Sequence, residues 1–268
     1  MKLDGTRVLL TGAAGGIGSA IAEQLMDKGV ALAMLGRSSD ELQPLKRRLA
    51  QQHPGAQLHA VGADLLDVEA LRTAVDRTAA ELGGIDLLIN CAGMMSFRPF
   101  AEEDPAVLAR LMQVNLVAPT LLIRAVLPDM LARGSGRIVN VGSTFGSIGF
   151  AWFAAYSASK FGLRGLSEAL RRELDGSGVG VTYVAPRAVK TPLNSDAVYR
   201  MAEATGMNMD EPQWVAQRIV EAIEDDAKDV YLGFPEKLFA RLNGFLPRLV
   251  DGGLRKQNRV MAPFARDT

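Results

Sequence analysis

The feature that most constrains this chain is an apolar run that breaks directly into glycines. Arg7-Val-Leu-Leu-Thr11 reads as a buried strand. Gly12-Ala-Ala-Gly-Gly16-Ile-Gly18 follows at once, and a helix-period pattern runs on through Ile17, Ile21 and Leu25. Strand, glycine turn and helix in that order form the phosphate-binding start of a dinucleotide fold. Glycines let the backbone turn sharply and approach a pyrophosphate, while free N–H groups and the helix dipole attract its charge. The spacing is G-x-x-x-G-x-G and not the commoner G-x-G-x-x-G. A tight strand–helix turn that binds nothing is the alternative.

The rest of the chain alternates in the same way. Candidate strands span 6–11, 30–35, 57–62, 85–90, 136–142, 179–185 and a short 229–233. Helical patterns fill the gaps at 16–28, 39–52, 67–82, 104–133 with a break, 155–175 and 213–225. Repeated alternation implies a parallel sheet covered on both faces. The expected fold is therefore a single α/β Rossmann-like, doubly wound domain with a seven-stranded parallel sheet. Ligands of such sheets bind outside the strand C-terminal ends, at the switch point. Thr11, Gly36, Asp64, Asn90, Ser143 and Pro186 fall at or just past those ends and should converge on one crevice.

Tyr156 and Lys160 stand four residues apart on a predicted helix, with Ser143 thirteen residues before the tyrosine. Positions i and i+4 share a helix face, so a phenol lies beside an ammonium. An isolated tyrosine has a pKa of roughly 10. A neighbouring cation is expected to lower it, toward the range a general acid–base needs.

Bulk properties remove several function classes. The 268 residues carry 30 basic and 30 acidic side chains, so no global field favours nucleic acid or membrane. One cysteine, Cys91, excludes an intrachain disulfide and fits a reducing compartment. Two histidines, His53 and His59, are expected at the surface and cannot make a His-rich metal site. No secretory h-region opens the sequence, and no run of about eighteen uninterrupted apolar residues spans a bilayer. A cytoplasmic location is the expectation.

Together these residues resemble the short-chain dehydrogenase/reductase family across most of the chain. The glycine motif T-G-x-x-x-G-x-G stands as Thr11 to Gly18, and the aspartate after the third strand as Asp64, followed by Leu65. The N-N-A-G motif reads Asn90-Cys91-Ala92-Gly93, and the catalytic set matches Asn115, Ser143, Tyr156 and Lys160. The resemblance implies that Tyr156 donates a proton to a developing alkoxide that Ser143 stabilises. Lys160 would hold the cofactor ribose and Asn115 a relaying water. Cofactor contacts would come from Gly12, Ala14, Gly16, Ile17, Gly18, Asp64, Leu65, Asn90, Ala92, Gly93, Pro186, Val189 and Thr191, besides Tyr156 and Lys160. One departure is Arg187, where the P-G-x-V-x-T segment has glycine. It is either a harmless replacement or a positive charge at the substrate mouth.

The second strand bears on the form of the cofactor. An NAD site usually places a carboxylate about twenty residues beyond the glycine loop. Here the strand ends Met34-Leu35-Gly36-Arg37-Ser38, with no acid. Arg37 offers a planar fork suited to a 2′-phosphate, and Ser38 accompanies it, so NADP(H) is the expected cofactor.

The resemblance implies a carbonyl or alcohol as substrate, and one apolar or acyl in character, such as a 3-oxoacyl thioester, lipidic ketone or steroid, is expected. Within an expected catalytic domain over 1–234, the resemblance implies a lid over 193–213; it carries Met201, Met207 and Met209, which either adapt to an apolar substrate or simply pack the lid. Residues 235–268 form an extension in which Leu238, Phe239, Leu242, Phe245, Leu246, Leu249 and Val250 recur at helical spacing, with Pro247 expected to kink or restart the helix. That extension either packs on protein over the substrate mouth or lies on a membrane as a peripheral contact. Its removal is expected to impair turnover of long substrates more than short ones. The resemblance implies a homodimer or homotetramer paired through the two long helices, whose apolar stripes, Leu116, Leu121, Leu122 and Val126 on one and Phe161, Leu163, Leu166 and Leu170 on the other, either meet a neighbour or simply form core. A non-catalytic NADP-binding sensor or scaffold subunit is the alternative to an enzyme.

Overall fold

The computed structural model describes residues 1–267. Seven strands form one wholly parallel sheet: β1 (Arg7–Thr11), β2 (Ala31–Gly36), β3 (Leu58–Gly62), β4 (Leu87–Asn90), β5 (Gly136–Val141), β6 (Val179–Ala185) and β7 (Asp229–Tyr231). Their order is β3-β2-β1-β4-β5-β6-β7. The chain starts in the middle, builds out to one edge, then crosses to the other side, so the switch point lies between β1 and β4. Both faces of the central strands are buried, which is why these strands read as continuous apolar runs.

Helices α1 (Gly16–Met26), α2 (Ser39–Gln52) and α8 (Pro212–Glu224) lie over one face, where Ile21, Leu25, Leu42, Val215 and Ile219 join a continuous core with Val8, Leu10 and Leu32. On the other face α3 (Val68–Leu82), α5 (Ala118–Arg133) and α6 (Ala154–Glu173) pack against Leu9, Leu35, Leu88 and Ile138. Between α4 (Pro105–Met112) and α5 the chain makes a five-residue π turn, Gln113–Val117. That turn is the break expected within 104–133. By length and composition Pro105–Arg133 is apolar enough to cross a membrane, with 33% of its most apolar window buried. Its inner residues Leu111, Leu122, Ile123 and Val126 belong to the core.

Two features depart from expectation. The lid contains a ten-residue helix, α7 (Asp196–Thr205), capped by the Ser195 hydroxyl and ended by Gly206 at φ 63°. Methionine spacing alone does not predict it, because its inner face also needs Ala197, Val198 and Ala202. His53 and His59 are half-buried rather than fully at the surface, facing Asp27 and Glu81.

Beyond β7, the chain forms α9 (Glu236–Phe245) and α10 (Pro247–Arg266). Pro247 restarts the helix as expected: it takes the first turn of α10, where its missing N–H costs nothing. The end of α10 packs on α7, burying Met261 and Ala265 against Phe153, Val198 and Met201.

Candidate active site

The strand ends bring the glycine turn, the Asn90–Gly93 segment and the Pro186–Thr191 segment together. Thr11 Oγ1 accepts hydrogen bonds from the N–H groups of Cys91 (3.0 Å) and Ala92 (3.1 Å), locking the first two to each other. Gly12 is left-handed at φ 69°, and a Cβ there would sit 2.6 Å from the Ala92 Cα. A Cβ on Gly16 would sit 2.7 Å from the Thr191 Cγ2, so the helix start and the third segment also touch. Glycine is required at both places by contact, and at Gly12 by backbone angle too.

At the floor of the crevice Ser143, Tyr156 and Lys160 are all buried. Ser143 follows β5 and is pinned through its backbone: Tyr183 donates its hydroxyl to the Ser143 carbonyl at 3.2 Å. Burial pushes the Tyr156 phenol up to about 12, against a hydrogen bond from Ser143 that acts downward. Burial also brings the Lys160 ammonium down to about 8. Lys160 Nζ donates to the Val141 carbonyl at 3.0 Å and lies 5.8 Å from the centroid of the Tyr156 ring. The expectation that the lysine lowers the phenol therefore fails in this structure. Helical spacing places the two groups side by side, but loss of water around each sets the direction of its shift.

Asn115 sits in the π turn, a backbone widening often found at functional sites. Its side chain accepts from Met94 N–H and donates to Met94 O, both at 2.8 Å, and donates to Ser159 Oγ at 3.0 Å. The amide thus fastens the Gly93–Met94 bend to α6. A Cβ added to Gly93 would lie 3.4 Å from Asn115 Oδ1 and 3.7 Å from Lys160 Nζ, so Gly93 faces both side chains at contact distance. Asn90 is buried at the end of β4, and its side-chain amide donates to Asn140 Oδ1 at 2.9 Å inside the sheet.

Above the floor lies a cavity of about 890 Å³, lined by Ile17, Ser143, Tyr156, Pro186, Val189 and Thr191 below and by lid and tail residues above. Met201 and Met207 reach it, while Met209 does not line it. Phe145 stands edge-on to Tyr156 at 6.1 Å and stacks on Phe150 at 4.7 Å, giving the cavity an aromatic wall. Phe239, Leu242, Leu249 and Leu254 close it from the tail.

Arg187 also lines this cavity, yet its guanidinium is already engaged. Nη2 and Nε donate to the two Asp210 oxygens at 2.7 and 3.0 Å, and Nη1 donates to the Phe234 carbonyl at 3.3 Å. It ties the end of the lid to the root of the tail, and its charge is answered by Asp210.

Arg37 projects into solvent with 85% of its side chain exposed. Sequence reasoning missed Glu41, whose carboxylate accepts the Arg37 N–H at 2.6 Å and faces the guanidinium at 3.7 Å. An acid does stand at the end of β2, delivered from the first turn of α2. Ser38 caps that helix by accepting the Glu41 N–H at 3.3 Å, so the S-x-x-E spacing was the available signal. Asp64 accepts the Leu66 N–H at 2.9 Å just past the end of β3.

A family model described as short chain dehydrogenase matches residues 6–201. The ketoacyl reductase HetN of Nostoc sp. is 35% identical over 229 residues, covering 85% of this chain and 78% of that protein. The crystal structure of a metagenomic short-chain oxidoreductase in complex with NADP superposes with a TM-score of 0.73 at 31% identity, covering 87% of this chain and 98% of that one. A short-chain dehydrogenase/reductase from Burkholderia phymatum in complex with NAD gives a TM-score of 0.84, covering 93% and 96% of the two chains. At 23% identity it shows the fold alone.

Proposed function

The chain belongs to the short-chain dehydrogenase/reductase family, and from that premise we propose that it is an NADP(H)-dependent enzyme interconverting an apolar ketone or acyl-type carbonyl compound and its alcohol. The observation that carries this reading is the burial of Ser143, Tyr156 and Lys160 together under a largely apolar cavity.

A dinucleotide fits the residues present. The missing Cβ atoms at Gly12 and Gly16 let the glycine turn pack directly on Ala92 and Thr191, and α1 begins at that turn with no side-chain cap on its first N–H groups. On this reading Asp64 and Leu65 would meet the adenine, and Val189 and Thr191 the carboxamide. Exposed Arg37 is placed to receive a 2′-phosphate, which supports NADP(H). Glu41 beside it favours a second reading, NAD(H), because a carboxylate at this strand end repels a phosphate.

When bound, the nicotinamide exchanges a hydride with the substrate carbon. The chain's own residues handle the proton and the oxygen. Tyr156, pushed up to about 12, keeps its proton at neutral pH and can pass it to an alkoxide. Ser143 donates to the same oxygen and steadies its charge. Lys160 orients the ribose, and Asn115 holds the corner through which a water reaches it. Bound substrate would exclude water from the aromatic wall around Phe145 and Phe150.

Val117, Leu131 and Phe161 remain exposed on the two long helices and support a homodimer or homotetramer. Leu122, Val126 and Leu163 from the same stripes are core residues. An NADPH-consumption screen across 3-oxoacyl thioesters, aliphatic ketones, long-chain aldehydes, steroids and quinones tests the reading. Turnover should favour apolar carbonyls, and cofactor binding with no turnover of any of them would leave the sensor alternative standing.

A further inference from the structure

The outer surface of the tail carries apolar side chains that the fold does not cover. Phe245 is 85% exposed, Phe234 75%, Leu249 61%, Leu238 55% and Leu246 54%, all within a short stretch of chain. Isolated exposed leucines need no explanation, but a contiguous set of large apolar groups marks a contact surface.

The orientation of α9 is fixed from inside. Ala240 is buried and Asn243 Nδ2 donates to the Ser147 carbonyl at 2.8 Å, so that face is committed to the body of the protein. Leu238 and Phe245, two turns apart, share the opposite face. Lys237 and Arg241 flank them, and both are exposed. Between positions 237 and 259 the sequence holds Lys237, Arg241, Arg248, Arg255, Lys256 and Arg259 against the single acid Asp251, in a chain whose formal net charge is +0. Lys237 and Arg241 stand on the helix that carries Leu238 and Phe245, and Arg248 lies between Leu246 and Leu249 in the chain.

The same segment is the roof of the cavity. Phe239 and Leu249, 45% and 61% exposed, line the space that reaches Ser143 and Tyr156, with Arg248 beside Leu249 in the same lining. The tail thus contributes apolar side chains to the cavity as well as to its exposed surface.

We propose that the α9–α10 hairpin is an interfacial docking surface for an anionic lipid leaflet, through which a membrane-dissolved carbonyl substrate reaches Tyr156. This rests on the reading of the cavity as the substrate site. Apolar side chains enter the acyl boundary while lysines and arginines stay at the headgroups, the mode of a monotopic helix. Charge selects the lipid over a second copy of the chain. Two copies apposed here would set one basic face against another, whereas an anionic leaflet complements it.

The test uses the full-length protein and sedimentation with phosphatidylcholine vesicles, with or without phosphatidylserine. At low salt the wild type should sediment at least about tenfold more strongly with the anionic vesicles, and salt should weaken this through charge screening. The double variant Leu238→Gln/Phe245→Asp should lose binding while keeping wild-type turnover of a short soluble ketone, a readout that also reports its folding. Absence of binding to anionic vesicles at low salt overturns the proposal. So does a concentration-dependent mass by light scattering that the double variant abolishes, which assigns the surface to a second copy. Tyr156→Phe should sediment as wild type does. Vesicle binding without turnover of any ketone would therefore remove the enzymatic reading and leave the docking surface in place.

Discussion

Lys160 Nζ donates to the Val141 carbonyl at 3.0 Å while lying 5.8 Å from the centroid of the Tyr156 ring. The lysine is thus anchored to the end of a strand, beside the face of the tyrosine's ring. Both groups are stripped of water, and their neutral forms gain by it.

That burial has a consequence for stability. Lys160 falls from its ordinary 10.5 to about 8. Between those values the unfolded chain binds a proton that the folded chain has released, so stability rises with pH across that window. The gain from this group is of order 3 kcal/mol, at about 1.4 kcal/mol per pH unit. Below about pH 8 both states hold the proton and the penalty stays constant. Above about pH 10, Tyr156 works in the opposite sense because its folded value is raised to about 12. Chemical denaturation of wild type and Lys160→Met, followed from roughly pH 7.5 to roughly pH 9.5, should show a steeper rise in wild type. Parallel curves would refute the burial account.

Arg37 sets the cofactor preference on this account. Arg37→Ala should lower kcat/KM for NADPH by about tenfold or more, near 1.4 kcal/mol, and leave NADH almost untouched. Glu41→Gln should move the preference further toward NADPH by removing the competing carboxylate. An Arg37→Ala enzyme that discriminates as wild type does would assign the 2′ position elsewhere.

Arg187 lines the cavity, but its guanidinium is held by Asp210 and the Phe234 carbonyl, so it is expected to act as a strap and not as a substrate contact. Arg187→Gly leaves the half-buried Asp210 carboxylate without its bidentate partner, at a cost of about 1–3 kcal/mol. Thermal stability should fall, and turnover should fall to a similar extent for anionic and neutral ketones. A loss confined to anionic ketones would show instead that the guanidinium recognises substrate charge.

Substrate length should be read at the roof of the cavity. Phe239 and Leu254 line it from the two tail helices. Each apolar side chain that contacts substrate contributes about 1.5–3 kcal/mol when fully covered. Phe239→Ala with Leu254→Ala should therefore raise KM for long-chain ketones by about tenfold or more and change short ketones little. Deleting 236–268 is a blunter version of the same test, because it also strips Met261 and Ala265 from the core. Equal effects on long and short ketones would make the tail a structural element only.

Much of this was legible in the sequence because the signals are local. Strands announced themselves as short apolar runs, and the observed ends of β1 to β6 lie within two residues of those expected. Glycine spacing located the turn at Gly12, where contact with Ala92 leaves no room for a side chain. The less legible parts depend on distance in sequence or on burial. Arg187 and Asp210 are 23 residues apart, and nothing near either names the other. Glu41 was missed because the acid was sought at the strand end itself, whereas the helix supplies it. The direction of the Tyr156 shift was misjudged because i,i+4 spacing reports proximity and says nothing of water. The amide of Asn90 pairs with Asn140, 50 residues away, across adjacent strands.

The central claim is that Tyr156 supplies the proton for carbonyl reduction. The direct measurement compares single-turnover NADPH oxidation by wild type and Tyr156→Phe on the best ketone of the screen, with cofactor affinity measured separately by fluorescence. Removal of one hydroxyl should leave cofactor binding nearly intact and slow turnover by at least about a hundredfold, the scale of a positioned general acid. Turnover near wild type in the phenylalanine variant would contradict the account.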